Sequence, residues 1–172
     1  TLTLAGIESI TGGSGIDMVV LSPGLTNGIV ALGDGDDRLV LNGATNTITV
    51  SGIETLIGGT SGADIVVASA AILNNSAGNA SFFNLRGGND SLTLANADNV
   101  VRVANVESLT GGTGSDTVTL ATAQTSGSIN LAGGADSLIL GDGNNTLTIM
   151  GVETLTGNGT GNDTLWLGEA FT

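Results

Sequence analysis

One block of sequence comes back four times, and its spacing leaves few folds open. It reads Gly6-Ile7-Glu8-Ser9-Ile10-Thr11-Gly12-Gly13, then Gly52-Ile53-Glu54-Thr55-Leu56-Ile57-Gly58-Gly59. It returns as Asn105-Val106-Glu107-Ser108-Leu109-Thr110-Gly111-Gly112 and as Gly151-Val152-Glu153-Thr154-Leu155-Thr156-Gly157-Asn158. The steps between Glu8, Glu54, Glu107 and Glu153 are 46, 53 and 46 residues. A second block ends in Asp37, Asp90 and Asp136, and a third opens at Asn46, Asn99 and Asn145; both step by 53 and then 46. The seven extra residues of the longer step fall between Asp64 and Asp90, around Ser69 to Phe83. That stretch reads as a longer loop closed over by Phe82 and Phe83. A fixed period of this size marks a repeat architecture, in which each unit buries its apolar face only against its neighbours.

The local pattern says what the repeat is made of. Thr117-Val118-Thr119-Leu120, Ser137-Leu138-Ile139-Leu140 and Thr146-Leu147-Thr148-Ile149 alternate polar and apolar residues. Period two is the mark of a strand with one buried face. Gly, Asn and Asp punctuate these runs, and no apolar periodicity of helical length is present. The expected fold is all-β: a parallel β-solenoid (β-roll or β-helix) built from 46-residue repeats, each about two coils. Even division gives about 23 residues per coil and about seven coils, a rod some 35 Å long at roughly 4.8 Å per coil. Residues 1–172 form a single array, with repeats at about 6–51, 52–104 and 105–150 and a partial one at 151–172. The chain reads as a fragment of a larger protein.

Composition narrows the chemistry. The net charge is −13, from 16 acidic residues against Arg38, Arg86 and Arg102; Lys, Cys, His and Tyr are absent. With no basic patch to neutralise phosphates, nucleic acid is not an expected partner. No apolar run reaches the ~18 residues of a membrane span, so no membrane insertion is expected. Without His, Cys or Lys there is no Ser-His triad and no Schiff base. Paired carboxylates could hydrolyse a glycoside, but no polar cluster stands outside the repeats, and the chain reads as not an enzyme. An unopposed acidic charge repels itself, and divalent cations would relieve it.

Seven turns end in Asp: Asp17, Asp37, Asp64, Asp90, Asp116, Asp136 and Asp163. The clearest are Gly12-Gly13-Ser14-Gly15-Ile16-Asp17 and Gly111-Gly112-Thr113-Gly114-Ser115-Asp116. They resemble the Gly-Gly-x-Gly-x-Asp turn of RTX (repeats-in-toxin) proteins, of the degenerate kind found in bacterial surface-layer proteins and large secreted adhesins. The resemblance implies Ca2+ at these turns, with the seven Asp residues as ligands. Calcium takes six to eight oxygens from carboxylates and carbonyls. Asp34, Asp36 and Asp37 form the densest acidic cluster and join the candidate metal ligands. The chain departs from tandem nine-residue RTX repeats, because its Asp residues are spaced by 20, 27, 26, 26, 20 and 27. The other chemistry open to these Asp residues is turn capping and laddering between coils without metal. Glu8, Glu54, Glu107 and Glu153 read either as exposed strand residues or as ligands from a neighbouring turn. The three Arg residues read as surface or ladder residues.

The expected role is a structural or adhesive module, calcium-stabilised, forming a rod, surface layer or filament outside a bacterial cell or on its surface. Its expected partners are further copies of itself and neighbouring repeats. Two alternatives are a calcium-triggered folding module of a type I secreted toxin or enzyme, and an ice-binding solenoid. The ice reading comes from the pairs Thr1/Thr3, Thr47/Thr49, Thr117/Thr119 and Thr146/Thr148, whose spacing of 46, 70 and 29 residues gives no regular rank.

Overall fold

The computed structural model describes residues 2–4, 7–22, 24–43 and 45–168. β1 (Leu2–Leu4) leads into a repeat holding β2 (Ser9–Gly13), β3 (Met18–Leu21), β4 (Thr26–Gly33), β5 (Arg38–Leu41) and β6 (Asn46–Ser51). The second repeat holds β7 (Thr55–Ile57), β8 (Asp64–Ala68), β9 (Ser81–Asn84), β10 (Ser91–Thr93) and β11 (Val100–Ala104). The third holds β12 (Ser108–Thr110), β13 (Thr117–Leu120), β14 (Ser128–Asn130), β15 (Ser137–Ile139) and β16 (Thr146–Met150). β17 (Thr154–Thr156) and β18 (Thr164–Leu167) open the fourth. The odd strands pair in parallel, each with the next, into a nine-stranded sheet one, and the even strands form sheet two in the same way. One strand from each sheet makes a coil, and the whole is a parallel β-solenoid of about eight turns.

Each repeat therefore contributes five strands, an odd number, so it closes two coils and begins a third. The coils are shorter than an even division of the repeat suggests, with Val19 paired to Leu39 and Leu39 in turn to Leu56. Strands of three to five residues with tight corners need no more. The half-coil left over has a consequence for geometry. The Glu blocks alternate between edges: Glu8 and Glu107 precede strands of sheet two, Glu54 and Glu153 strands of sheet one.

Alternation along each strand sends one set of side chains inward. In sheet two, Ile48, Val66, Leu92, Leu109, Ile129 and Ile149 stack in register as one buried column. Packing two such layers back to back gives a core about 10 Å thick, which suits Val, Leu and Ile. At the start of the Glu block the chain turns through the left-handed region: φ is +59° at Gly52, +53° at Asn105 and +56° at Gly151. Asn is the side chain that tolerates this conformation best, which accounts for the one non-Gly copy. Gly6 lies outside the described residues.

The insertion is confined to one coil. The chain from Leu56 to its register partner Phe83 is longer than that from Ile10 to Val30 or from Leu109 to Ile129. The extra chain leaves after β8 and is tied by an antiparallel bridge between Asn74 and Ala80, with the Asn75 side chain accepting from Ala77 and Asn79 N–H. Phe82 and Phe83 do not close over this loop; both belong to β9. Phe83 is buried in the column between Leu56 and Val103, and Phe82 faces outward with the Arg102 guanidinium 5.2 Å from its ring centre.

The unit that can be removed is the repeat, not the coil. Excising residues 107–152 puts Glu153 where Glu107 was and keeps the order of strands, so the shortened chain should melt cooperatively near the parent temperature. Excising 117–136 removes one full coil but breaks the order, and its melting temperature should fall further. Thermal melts followed by circular dichroism decide it.

Candidate functional site: a carboxylate ladder at the coil corners

Where each coil turns into a new strand, one backbone N–H falls outside the sheet ladder and would be buried without a partner. A side chain from the next coil accepts it. Along the edge of sheet two, Leu25 N–H donates to Asn46 Oδ1 (2.9 Å), Asn46 N–H to Asp64 Oδ1 (3.1 Å), Asp64 N–H to Asp90 Oδ1 (2.7 Å) and Asp90 N–H to Glu107 Oε2 (2.8 Å). Along sheet one, Ile72 N–H donates to Asn99 Oδ1 (2.9 Å), Asn99 N–H to Asp116 Oδ1 (3.1 Å), Asp116 N–H to Asp136 Oδ1 (2.8 Å) and Asp136 N–H to Glu153 Oε2 (2.7 Å). Two partial copies complete the set. Asp17 N–H donates to Asp37 and Asp37 N–H to Glu54, each at 2.7 Å. Gln124 N–H donates to Asn145 and Asn145 N–H to Asp163, each at 2.9 Å. The order along each edge is Asn, Asp, Asp, Glu, then one coil without a ladder side chain, where β4, β9 and β14 lie.

The positions are not interchangeable. Each leading Asn also donates from Nδ2 to the Asp above it: Asn46 to Asp64 (2.8 Å), Asn99 to Asp116 (2.7 Å) and Asn145 to Asp163 (2.8 Å). The first Asp uses its second oxygen on its own turn, with Gly13 N–H on Asp17 Oδ2, Gly59 N–H on Asp64 Oδ2 and Gly112 N–H on Asp116 Oδ2. The Gly-rich turn thus serves to aim an amide at its own Asp. The second Asp receives no amide from its own turn: Oδ2 of Asp37, Asp90 and Asp136 is buried with no hydrogen-bond partner. Burial pushes Asp90 up to about 6 against the pull of the Asp64 N–H, and the charges of Asp64 and Glu107 add to the rise. Burial likewise raises Asp37, Asp136 and Glu54 above the usual carboxylate range. The Asn145 amide holds Asp163 below it.

The structure brings all seven series Asp residues into the ladders and scatters the acidic triplet. Asp37 is a ladder residue with no exposed surface, while Asp36 accepts from the N–H and hydroxyl of Ser76 in the insertion, which lowers its pKa. Asp34 is exposed at the edge. Among the described residues no group of three or more His, Cys, Asp or Glu is placed to hold a metal ion. One oxygen of each of Asp37, Asp64, Asp90, Asp116, Asp136 and Asp163 accepts a backbone N–H of the neighbouring coil, while Oδ2 of Asp37, Asp90 and Asp136 accepts none. Glu54, Glu107 and Glu153 each close a ladder by accepting the N–H of an Asp. The leading Asn residues are functional members that sequence reasoning passed over. Beneath the insertion an open cleft of about 380 Å³ runs past Asp34, Ile53, Glu54 and Ile72.

The fold and its buried Asp residues are compatible with an RTX-like β-roll. No protein-family model matches the chain, and neither a curated protein nor a solved structure matches it.

The ladder sets an unusual pH dependence. A carboxyl whose folded pKa lies above its unfolded value of about 3.9 stabilises the fold fully at low pH and loses that contribution as pH rises through the folded value. For Asp90 the window is from about 4 to about 6. Asp36 and Asp163, whose pKa values are lowered, act in the opposite sense only below that window. The melting temperature should therefore be higher at pH 4.5 than at pH 7.5. Asp90→Asn keeps an acceptor for Asp64 N–H and should flatten this dependence with no loss at pH 7.5. Asp90→Ala strands that N–H and should cost about 1–3 kcal/mol. Denaturant melts at both pH values test all three.

Proposed function

We propose that the chain is a structural, adhesive module of an extracellular or cell-surface bacterial protein: a stiff rod that spaces or presents surface and acts without catalysis. One observation carries this reading. Asp37, Asn46, Asp64, Asp90, Asn99, Asp116, Asp136 and Asn145, eight of the ten buried polar side chains among the described residues, are all ladder members that bind one coil to the next. The other two, Ser81 and Gln124, bond backbone carbonyls with their side chains. Every buried polar side chain among the described residues thus makes a structural bond, and a repeated arrangement multiplies one geometry along an axis where catalysis needs a single site.

The RTX-like reading goes with this role in altered form. The Asp of each Gly-rich turn bonds coil to coil, and calcium acts outside, as a counter-ion to the exposed corner carboxylates of Asp34, Asp98 and Asp142. In such a module the fold stands without the ion, and calcium adds stability by mass action at weak sites. Circular dichroism and thermal melts in chelator and in millimolar calcium test this. A strand signal and cooperative melt in chelator, with a rise of a few degrees on adding calcium, are expected. A chain unfolded in chelator would contradict the account of calcium, and turnover of a polysaccharide by the purified chain would contradict the structural role.

A further inference from the structure

We infer that the outer face of sheet two is a docking face for a second copy of this chain. The inference rests on the structural role proposed above and names the surface through which copies meet. Its basis is where the charge lies. The chain carries −13, yet the only charged residue within any strand of sheet two is Asp64, which points inward and is 1% exposed. The outward positions of β2 to β18 are Ser, Thr, Asn, Ala, Met, Ile, Val and Trp. They include Ile29, Ile65, Val67 and Trp166, at 53, 44, 37 and 56% exposure. Sheet one differs, since Arg38 and Arg102 stand on its outer face. Every other described carboxylate sits at a coil corner, on the two long edges.

Two copies this acidic repel over most approaches. They can close to contact where carboxylates are absent, on the two sheet faces, and sheet two alone is also free of outward cations, which leaves a neutral strip along the whole rod. Two such faces stack about 10 Å apart with strands nearly aligned, which keeps the acidic edges of the copies side by side and open to solvent and counter-ions. The strip is about 40 Å by 12 Å, so a two-fold pair buries on the order of 1,000 Å² in total, the lower bound for a specific interface. The association of this segment is accordingly weak, and a longer array strengthens it in proportion to its coils. Ice is a poorer occupant. Thr47/Thr49 and Thr146/Thr148 lie on sheet two but Thr117/Thr119 lies on sheet one, so the Thr pairs form no single rank; Thr1 is outside the described residues. For a polysaccharide the face offers one aromatic platform, Trp166.

Sedimentation equilibrium of the whole chain in chelator, from low to high NaCl, tests the inference. The pair Ile65→Glu/Thr110→Glu charges sheet two, and Val20→Glu/Thr119→Glu places the same charge on sheet one. The parent should dimerise more tightly as salt screens the edges, with calcium more effective than sodium at equal ionic strength but not required. The sheet-two pair should weaken association at least tenfold while the sheet-one pair changes it less than twofold, both variants keeping the parent strand signal. A parent that stays monomeric at millimolar concentration, equal loss from both pairs, or association that requires calcium would overturn it. A monomer that slows ice recrystallisation or pellets with a polysaccharide would assign the face to that occupant and overturn it as well. None of these outcomes touches the rod itself, whose length and lack of turnover are read separately by small-angle scattering and by polysaccharide assays.

Discussion

The structure depends on how a parallel coil disposes of the backbone amide at its corner. Within a sheet every N–H finds a carbonyl on the next strand, but where the chain swings from one sheet to the other that pairing is interrupted in a buried place. A stranded amide there would cost about 1–3 kcal/mol at each corner. The chain meets the requirement with Asp, Asn and Glu side chains reaching back by one coil. A hydrogen bond to a charged acceptor contributes about 1.5–3 kcal/mol, and every such bond points in the same direction along the axis.

The same device sets a limit on itself. Carboxylates one coil apart are about 4.8 Å apart, and at an effective dielectric constant near 20 two unit charges at that distance repel by roughly 3 kcal/mol. An unbroken column of Asp would be self-defeating. The run is therefore short: a neutral Asn leads, two Asp and one Glu follow, and a coil without a ladder side chain separates it from the next run. The middle carboxylate, Asp90 or its counterparts Asp37 and Asp136, has an anion on each side and an oxygen without a partner, and burial raises its pKa, as it does that of Glu54. Because a repeat is five strands and a coil is two, each edge carries the same order displaced by one repeat, which is two and a half coils. The two edges thus share one short sequence motif.

Much of this was legible beforehand. The alternation in Thr117–Leu120 and the 46-residue step lead directly to parallel coils with apolar columns inside. The coil length was not legible from the period alone, because an odd number of strands makes the repeat incommensurate with the coil. A clue lay elsewhere: Asp37 to Glu54, Asp90 to Glu107 and Asp136 to Glu153 share one spacing, and it is the length of one coil. Read as stacked partners, those pairs identify Glu as the closing member of a ladder. The acidic triplet misleads for a simpler reason. Asp36 lies in the bend before β5 and Asp37 at its end, and the two diverge, one toward Ser76 and one into the core. An Asp after a Gly turn suits either an ion or an amide, and only the position of the next coil's N–H tells them apart. Phe82 and Phe83 similarly looked like a loop closure until the register put them in β9.

The central claim is that side-chain oxygens satisfy the corner amides and hold the coils together without the help of a bound ion. Residue-resolved amide hydrogen exchange at neutral pH in chelator addresses it directly. The N–H groups of Asp37, Asp64, Asp90, Asp116 and Asp136 should exchange as slowly as those within the flanking strands, with Asp64 N–H alone released in Asp90→Ala. Fast exchange at these five amides in chelator, with protection appearing only when calcium is added, would contradict the claim.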